Sequence, residues 1–421
     1  MLKRKIYFIS FSFSKGGAAI AAKKYSRLLS MLSLGLDINE VSQDEATGYA
    51  FLKRIFSYFL VFFQYDSNPI KHSLNLFTYT PVINAFDDHS EAVFHFHWIN
   101  NDTLSVFDFD KIPAGSILTL HDEWLYCGAE HYYKVDDEII DFKESYRFFK
   151  KGVYGINWNY IIWRIKKYKL SRRQDLIYTV PSNWILKRAK SSMILKSSDV
   201  RLLPNPIDTD VFKPLSEREK SDIRLKYSIE NDDFIFCFGA IDGRKNHIKG
   251  VHLLDEALKV LSDGLPESSR KKVKLIDFGG DHGEGVIHGF KNISVGHISN
   301  PKDLASLYSI ADCVVVPSMV ESFGQVAAEA LSCCTPVICF DTSGLKDIVT
   351  HAETGLVAEP FSPKSLAKCM LEMIEMSSEE RRIMGELGRK HVESSFSYSV
   401  VAEQYVKIIQ DAESIKENIE K

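Results

Sequence analysis

Two carboxylates, Glu321 and Glu329, stand in the stretch PSMVESFGQVAAEALSCCTPVICFD, Pro317 to Asp341, in an otherwise small and apolar setting. DCVVVPS reads as a buried strand, MVESFG as the loop at its carboxyl end, and QVAAEALSC as the helix that follows. Ligands of open α/β sheets gather beyond the carboxyl ends of the strands. Glu321 then lies in the crevice, and Glu329 faces back toward the same loop from the helix. Between them the backbone N–H groups of Phe323, Gly324, Gln325 and Val326 form the helix start, where unpaired amides and the helix dipole favour an anion. The site offers one acceptor for sugar hydroxyls, amides for a phosphate and a second acceptor for a diol. The competing reading is that Glu321 caps the helix and Glu329 is solvated; spacing alone leaves both open.

Other residues carry weaker signals. Gly16 and Gly17 open a helical segment in SFSKGGAAIAAKKYSRLL, a start that suits an anion, but a Gly-Gly pair is also an ordinary turn and the G-x-G-x-x-G pattern is incomplete. His121 ends the strand pattern in SILTLHDEW, with Asp122 either orienting it or capping the next helix. GRKNHIKG places Arg244, Lys245 and Lys249 just past a strand, positive charge that suits an anionic group or else forms a solvated basic loop. His95 and His97 share one strand face by alternation, yet no nearby Cys or carboxylate completes a metal set. They read as a pair of partly buried or acceptor-site histidines. Asp108-Phe109-Asp110 reads as a surface loop, and no metal or other cofactor is expected.

The elements that would position these residues alternate between strand and helix. KIYFIS, AVFHFH, SILTL and DLIYTV form one set of strand signals; FIFCFGA, VKLIDFGG, DCVVVPS and TPVICFD form a second. Such alternation predicts an α/β fold of two Rossmann-like, doubly wound domains with parallel sheets. The break falls at LLPNPIDTDVFKP, whose prolines continue neither a helix nor a central strand. The expected divisions are a first domain over 1–205, a second over 206–395 and a C-terminal helix over 396–421 that packs back toward the first domain.

At 421 residues and 45% hydrophobic, the chain can build large cores. Its net charge of -4 argues against bulk nucleic-acid binding. The stretch from Lys143 to Arg173 nevertheless holds ten Lys or Arg and one acid, Glu144, and implies a local anionic partner. In RFFKKGVYGINWNYIIWRIKKYKLSRR, either Trp158 and Trp163 sit at headgroup depth while Arg164, Lys166 and Lys167 meet anionic lipid, or the helix packs into the first domain. Seven cysteines without a CxxC pair, and no signal-peptide pattern at the start, read as reduced thiols in a cytoplasmic protein. IFSYFLVFF, Ile55 to Phe63, is about half the roughly 20 residues a membrane span needs.

Taken together these motifs resemble the retaining GT-B glycosyltransferases of family 4, whose signature is E-x7-E. Glu321, Phe323, Gly324 and Glu329 stand in its positions, and KGGA, TLHDEW, VPSNW, NPIDTDVFKP, FGAIDGRKNHIKG, LASLYSIADCVVVPS and TGLV follow the family's motif order. The resemblance implies transfer of a hexosyl group from a UDP- or GDP-sugar to a hydroxyl acceptor, without a metal. It implies that Glu321 and the amides at Phe323 and Gly324 bind the donor sugar, that Glu329 holds the ribose hydroxyls, and that His121 touches the transferred sugar. Arg244 and Lys249 best match the family's diphosphate cations, although the spacing departs from the common one and Lys245 intervenes. TLHDEWLYCGAEHYY resembles the subgroup that assembles colanic-acid and O-antigen chains, implying a lipid-linked oligosaccharide acceptor and work at the inner face of the plasma membrane. A nucleotide-sugar epimerase on the same fold and a non-catalytic sugar-binding protein are the rival readings.

Overall fold

The computed structural model describes residues 4–32, 34–46, 48–66, 68, 70–89, 91–133, 141–239 and 247–420. The chain forms two compact units, 1–206 with 401–421, and 207–400.

The first unit contains β1 (Arg4–Ile9), α1 (Gly17–Met31), β2 (Leu36–Val41), α2 (Tyr49–Val61), β3 (Gln64–Tyr65), α3 (Thr80–Asp88), β4 (Val93–Phe96), β5 (Ile117–Thr119), β6 (Tyr154–Gly155), α4 (Trp158–Leu170), β7 (Ile177–Val180), α5 (Asn183–Ser191) and β8 (Asp199–Leu202). Six strands make a parallel sheet in the order β2-β1-β4-β5-β7-β8. β4, β5 and β7 are buried at every position, as expected where a parallel sheet is covered on both faces. The chain extends the sheet to one side of β1 and then to the other, so the switch point lies between β1 and β4.

Of the two tryptophans in the basic aromatic segment, Trp163 is buried and Trp158 is half-buried against the core. In α4 Ile162, Trp163, Lys166 and Leu170 are buried, and the Lys166 ammonium donates to the carbonyls of Trp124 and Gly128. Trp158 donates its indole N–H to the Leu60 carbonyl at 2.7 Å. Lipid contact through Trp163 and Lys166 is therefore excluded, because the apolar stripe of α4 is used in the core.

The second unit contains α6 (Glu217–Lys226), β9 (Phe234–Gly239), α7 (Val251–Gly264), α8 (Glu267–Lys272), β10 (Val273–Phe278), β11 (His282–Ile287), β12 (Phe290–Val295), α9 (Pro301–Ile310), β13 (Cys313–Val316), α10 (Gln325–Ser332), β14 (Val337–Phe340), β15 (Gly355–Ala358), α11 (Pro363–Glu375) and α12 (Ser378–Ser395). Its sheet runs β11-β12-β10-β9-β13-β14-β15, parallel except for the β11–β12 pair. Alternation of side chains across the pleat divides its core in two. Ile235, Cys237, Val314, Val316, Val337 and Cys339 belong to one cluster, and Phe234, Phe236, Phe238, Cys313, Val315 and Ile338 to the other. The switch point here lies between β9 and β13.

Helix α13 (Tyr398–Glu420) joins the first unit from Val401 onward. There Arg4 meets Glu413 at 3.0 Å, Arg201 pairs with Asp411, and Lys416 donates to the Ala92 carbonyl. Among the described residues no helix is long and apolar enough to cross a membrane.

Candidate functional site

In the second unit the switch point collects the residues with chemistry. A 3-10 turn, His247–Lys249, ends at Gly250, which is left-handed at φ 67° and starts α7. A Cβ at Gly250 would lie 1.9 Å from the Pro317 carbonyl oxygen, so only glycine permits this approach. The two loops are also tied by the Met319 amide, which donates to the Ile248 carbonyl at 2.8 Å. This clamp sets the Lys249 ammonium 2.6 Å from Glu321 Oε1, and the Ser318 hydroxyl donates to the same oxygen at 2.8 Å.

A third loop, after β14, holds the Glu321 backbone. Its amide donates to Ser343 Oγ at 2.9 Å, and the Gly344 amide donates to its carbonyl at 2.8 Å. Ser343 has φ 48°, a sparsely populated conformation of the kind found where surroundings over-determine a site. A Cβ on Gly344 would meet the carbonyl oxygens of Ser322 and Glu321 at 2.6 and 2.8 Å.

Helix α10 starts at Gly324, φ 111°, with no side-chain cap. Glu321 therefore does not cap it. Glu329 is not solvated either: it is 5% exposed and accepts from Gln325 Nε2 at 3.0 Å. Burial and then the Glu329 charge hold the Tyr308 phenol well above its usual range. Phe323 is buried against Phe396, ring centroids 5.2 Å apart, and fixes the loop while its amide belongs to the helix start. The structure thus brings Lys249, Glu321, the Phe323–Val326 helix start and Glu329 to one edge of the sheet. Arg244 and Lys245 lie outside the described residues.

Ser318, Ser343 and Gly344 escaped the sequence reading. Their signal was position: Ser318 stands three residues before Glu321, and TSG, Thr342 to Gly344, follows the carboxyl end of a strand.

In the first unit Gly16 caps α1 at φ 92°. No atom lies within 4 Å of a Cβ built at Gly16 or Gly17, so glycine is required at Gly16 by its dihedral and not by crowding. His121 follows β5, and its Nε2 lies 2.9 Å from His97 Nδ1. His95 and His97 are fully buried rather than partly so. His95 bonds Thr119 at 2.7 Å and the Tyr405 hydroxyl of α13. Asp122 accepts from the Trp124 amide at 3.0 Å and Trp98 Nε1 at 2.9 Å, contacts His131 at 2.6 Å, and its charge also acts on His121. Asp108 pairs with Lys111 at 2.9 Å, and Asp110 with Lys169 at 2.8 Å.

Burial pulls the His121 pKa down to about 4, against the Asp122 charge, and burial likewise lowers His95, His97 and His131. These imidazoles stay neutral at pH 7. The unfolded chain binds protons near pH 6.5 while the folded chain resists them to lower pH, so stability falls as pH drops through that window. His121 alone accounts for about 2 kcal/mol between pH 7.5 and 5. A thermal midpoint unchanged across that range would contradict the buried, neutral cluster.

Residues 219–391 match the family model described as Glycosyl transferases group 1. The chain is 30% identical over 224 residues to D-inositol 3-phosphate glycosyltransferase of Corynebacterium jeikeium, covering 50% of this chain and 52% of that protein. It is 27% identical over 201 residues to the protein of that name from Paenarthrobacter aurescens, covering 46% and 48%. The chain thus spans about half the length of the curated relatives it matches. Among solved structures, sucrose-phosphate synthase from Thermosynechococcus elongatus superposes with a TM-score of 0.65 at 19% identity, covering 97% of this chain and 98% of that one. Anabaena Alr3699/HepE in complex with UDP and glucose superposes with a TM-score of 0.64 at 15% identity, covering 97% and 100%. The chain has the GT-B fold of two Rossmann-like units, and its second unit carries the glycosyl transferases group 1 match over residues 219–391.

Proposed function

We propose that the chain is a retaining glycosyltransferase that moves a hexosyl group from a UDP- or GDP-sugar to a hydroxyl of a lipid-linked oligosaccharide in surface-polysaccharide assembly, at the inner face of the plasma membrane. The observation that carries the reading is the grouping of Lys249, Glu321, an uncapped helix start and buried Glu329 at one topological switch point. The fold shared with a protein bound to UDP and glucose supports a nucleotide-sugar donor.

In this reading Glu329 accepts from the ribose hydroxyls and Glu321 from the sugar hydroxyls. The amides from Phe323 to Val326 face the donor's charged and polar groups. Lys249, held in the resting state by Glu321, supplies positive charge to the diphosphate as it leaves, with Arg244 as the second cation. The acceptor oxygen bonds the anomeric carbon on the face from which diphosphate departs, and its proton passes to a diphosphate oxygen. His121 contacts the transferred sugar as a neutral imidazole, and Gly16 and Gly17 belong to the donor-contacting loop. The match to proteins named for D-inositol 3-phosphate favours a second reading of the acceptor, a phosphorylated polyol.

Screening UDP- and GDP-sugars for release of nucleotide, with and without lipid-linked oligosaccharide or inositol phosphate, tests the proposal. Sugar isomerisation without any acceptor would favour an epimerase, and binding without turnover a sugar-binding protein. EDTA is expected to leave the rate unchanged, because Lys249 and Arg244 take the place of a divalent ion. Loss of turnover restored by manganese or magnesium would refute this. Glu329→Gln keeps the shape but weakens acceptance from the diol, raising the apparent donor KM about tenfold if ~1.5 kcal/mol is lost. An unchanged KM would remove Glu329 from the ribose.

A further inference from the structure

Helix α2 exposes an apolar surface that no other described part of its unit covers. Its sequence, YAFLKRIFSYFLV, holds no acid, and Ser57 is its sole buried residue. Phe51, Leu52, Ile55, Phe56, Tyr58 and Phe59 are each about half exposed or more. The surface continues past the helix. β3 pairs with β6, and the Ile156 amide donates to the Phe63 carbonyl at 2.8 Å. These bonds set Phe62, Phe63 and Tyr65 beside Tyr154 and Ile156, in the segment that also exposes Phe148 and Phe149, the latter by 88%. Of the 24 exposed large hydrophobic residues among those described, 14 lie in residues 49–65 and 148–156. The exposed apolar residues of the second unit are instead scattered, with only Ile383 and Leu387 adjacent among those described, which is ordinary.

Cations border this surface. Lys53 lies 4.5 Å from the centre of the Tyr49 ring and 5.5 Å from that of Phe77, and Arg54 5.6 Å from that of Phe51 and 5.4 Å from that of Phe11, so both are half-buried and flank the exposed aromatic side of the helix. Arg147 and Lys151 are exposed on either side of Phe148 and Phe149. Aromatic side chains that can sink to headgroup depth, with basic groups at their level and no acid on the helix, match an anionic lipid interface. A protein interface pairs a charge-depleted apolar centre with a polar rim; here the exposed apolar groups cover the whole outer side of α2 and continue to residues 148–156, while Lys53, Arg54, Ser57, Leu60 and Val61 form its less exposed side.

We propose that α2 and the 148–156 segment form a docking surface for an anionic membrane, with the helix lying in the plane of the interface. The surface belongs to the first unit alone and stands independently of the transfer reaction. It also moves the lipid contact from Trp163 of α4, which is taken up in the core, to phenylalanines that are not.

The test is co-flotation of the full chain with vesicles of phosphatidylcholine containing phosphatidylglycerol, and with phosphatidylcholine alone. Binding is expected to the anionic vesicles, and to fall about tenfold or more on the neutral ones or at high salt. Replacing Phe59, Phe62 and Phe149 together by Ser should weaken it about tenfold or more. Unchanged nucleotide-sugar turnover in detergent and an unchanged thermal midpoint would show that the triple variant folds. As a second readout, Phe149→Trp should be quenched by brominated lipid. Absence of flotation, flotation indifferent to the triple variant, or a concentration-dependent dimer abolished by that variant in a chain that does not float would each overturn the proposal.

Discussion

Lys249→Ala is expected to lower kcat by roughly 10²–10³ while changing stability little. In the proposed reaction the ammonium lies where charge grows as the diphosphate departs, and a preorganised donor aimed at developing charge contributes on that scale. Its resting partner is Glu321 at 2.6 Å, with side chains 30% and 19% exposed. A pair this open to water contributes modestly to folding. Truncation therefore separates the two roles, with turnover lost and the melting curve nearly intact. Lys249→Arg should restore only part of the rate, since its fork replaces a point charge. If Lys249→Ala turns over normally, the assignment of the diphosphate to this loop fails; if Lys245→Ala is the crippling change, the register of the loop is wrong.

Gly250→Ala is expected to cost about 10² in kcat/KM and roughly 1–3 kcal/mol in stability. The added methyl meets the Pro317 carbonyl oxygen at 1.9 Å, and the residue sits at φ 67°. One loop must move, which breaks the Met319 to Ile248 bond and withdraws Lys249 from Glu321. Gly17→Ala is the internal contrast, having neither positive φ nor any atom within 4 Å of the new Cβ. It should fold as the parent does. Equal stability loss at both positions would show that backbone entropy, and not the clamp, governs these glycines.

The strands readable from sequence were those buried on both faces. FIFCFGA and DCVVVPS became β9 and β13, whose continuous apolar runs leave little choice of element. β2, LDINEV, and β11, HGEGVI, went unread because they are edge strands carrying polar or glycine residues, paired on one side only. The site shows the same division. Glu321 and Glu329 announced themselves by spacing, and burial of Glu329 removed the solvated reading that spacing had left open. The Lys249–Glu321 pair joins residues far apart in the chain through a glycine clamp, and nothing local encodes it. His97 was visible as half of a strand-face pair, but its contact with His121 requires β4 and β5 to be neighbours. α4 left two readings open because cations alternating with aromatics describe a membrane helix and a buried one equally well until Lys166 finds its two carbonyls.

The most direct measurement is the anomeric configuration of the product, followed by proton NMR during turnover of an α-linked UDP- or GDP-sugar with a lipid-linked oligosaccharide acceptor. The account predicts an α-linked product from the first turnover, formed only when acceptor is present and lost in Lys249→Ala. A β-linked product, or sugar conversion that proceeds equally well without acceptor, would contradict it.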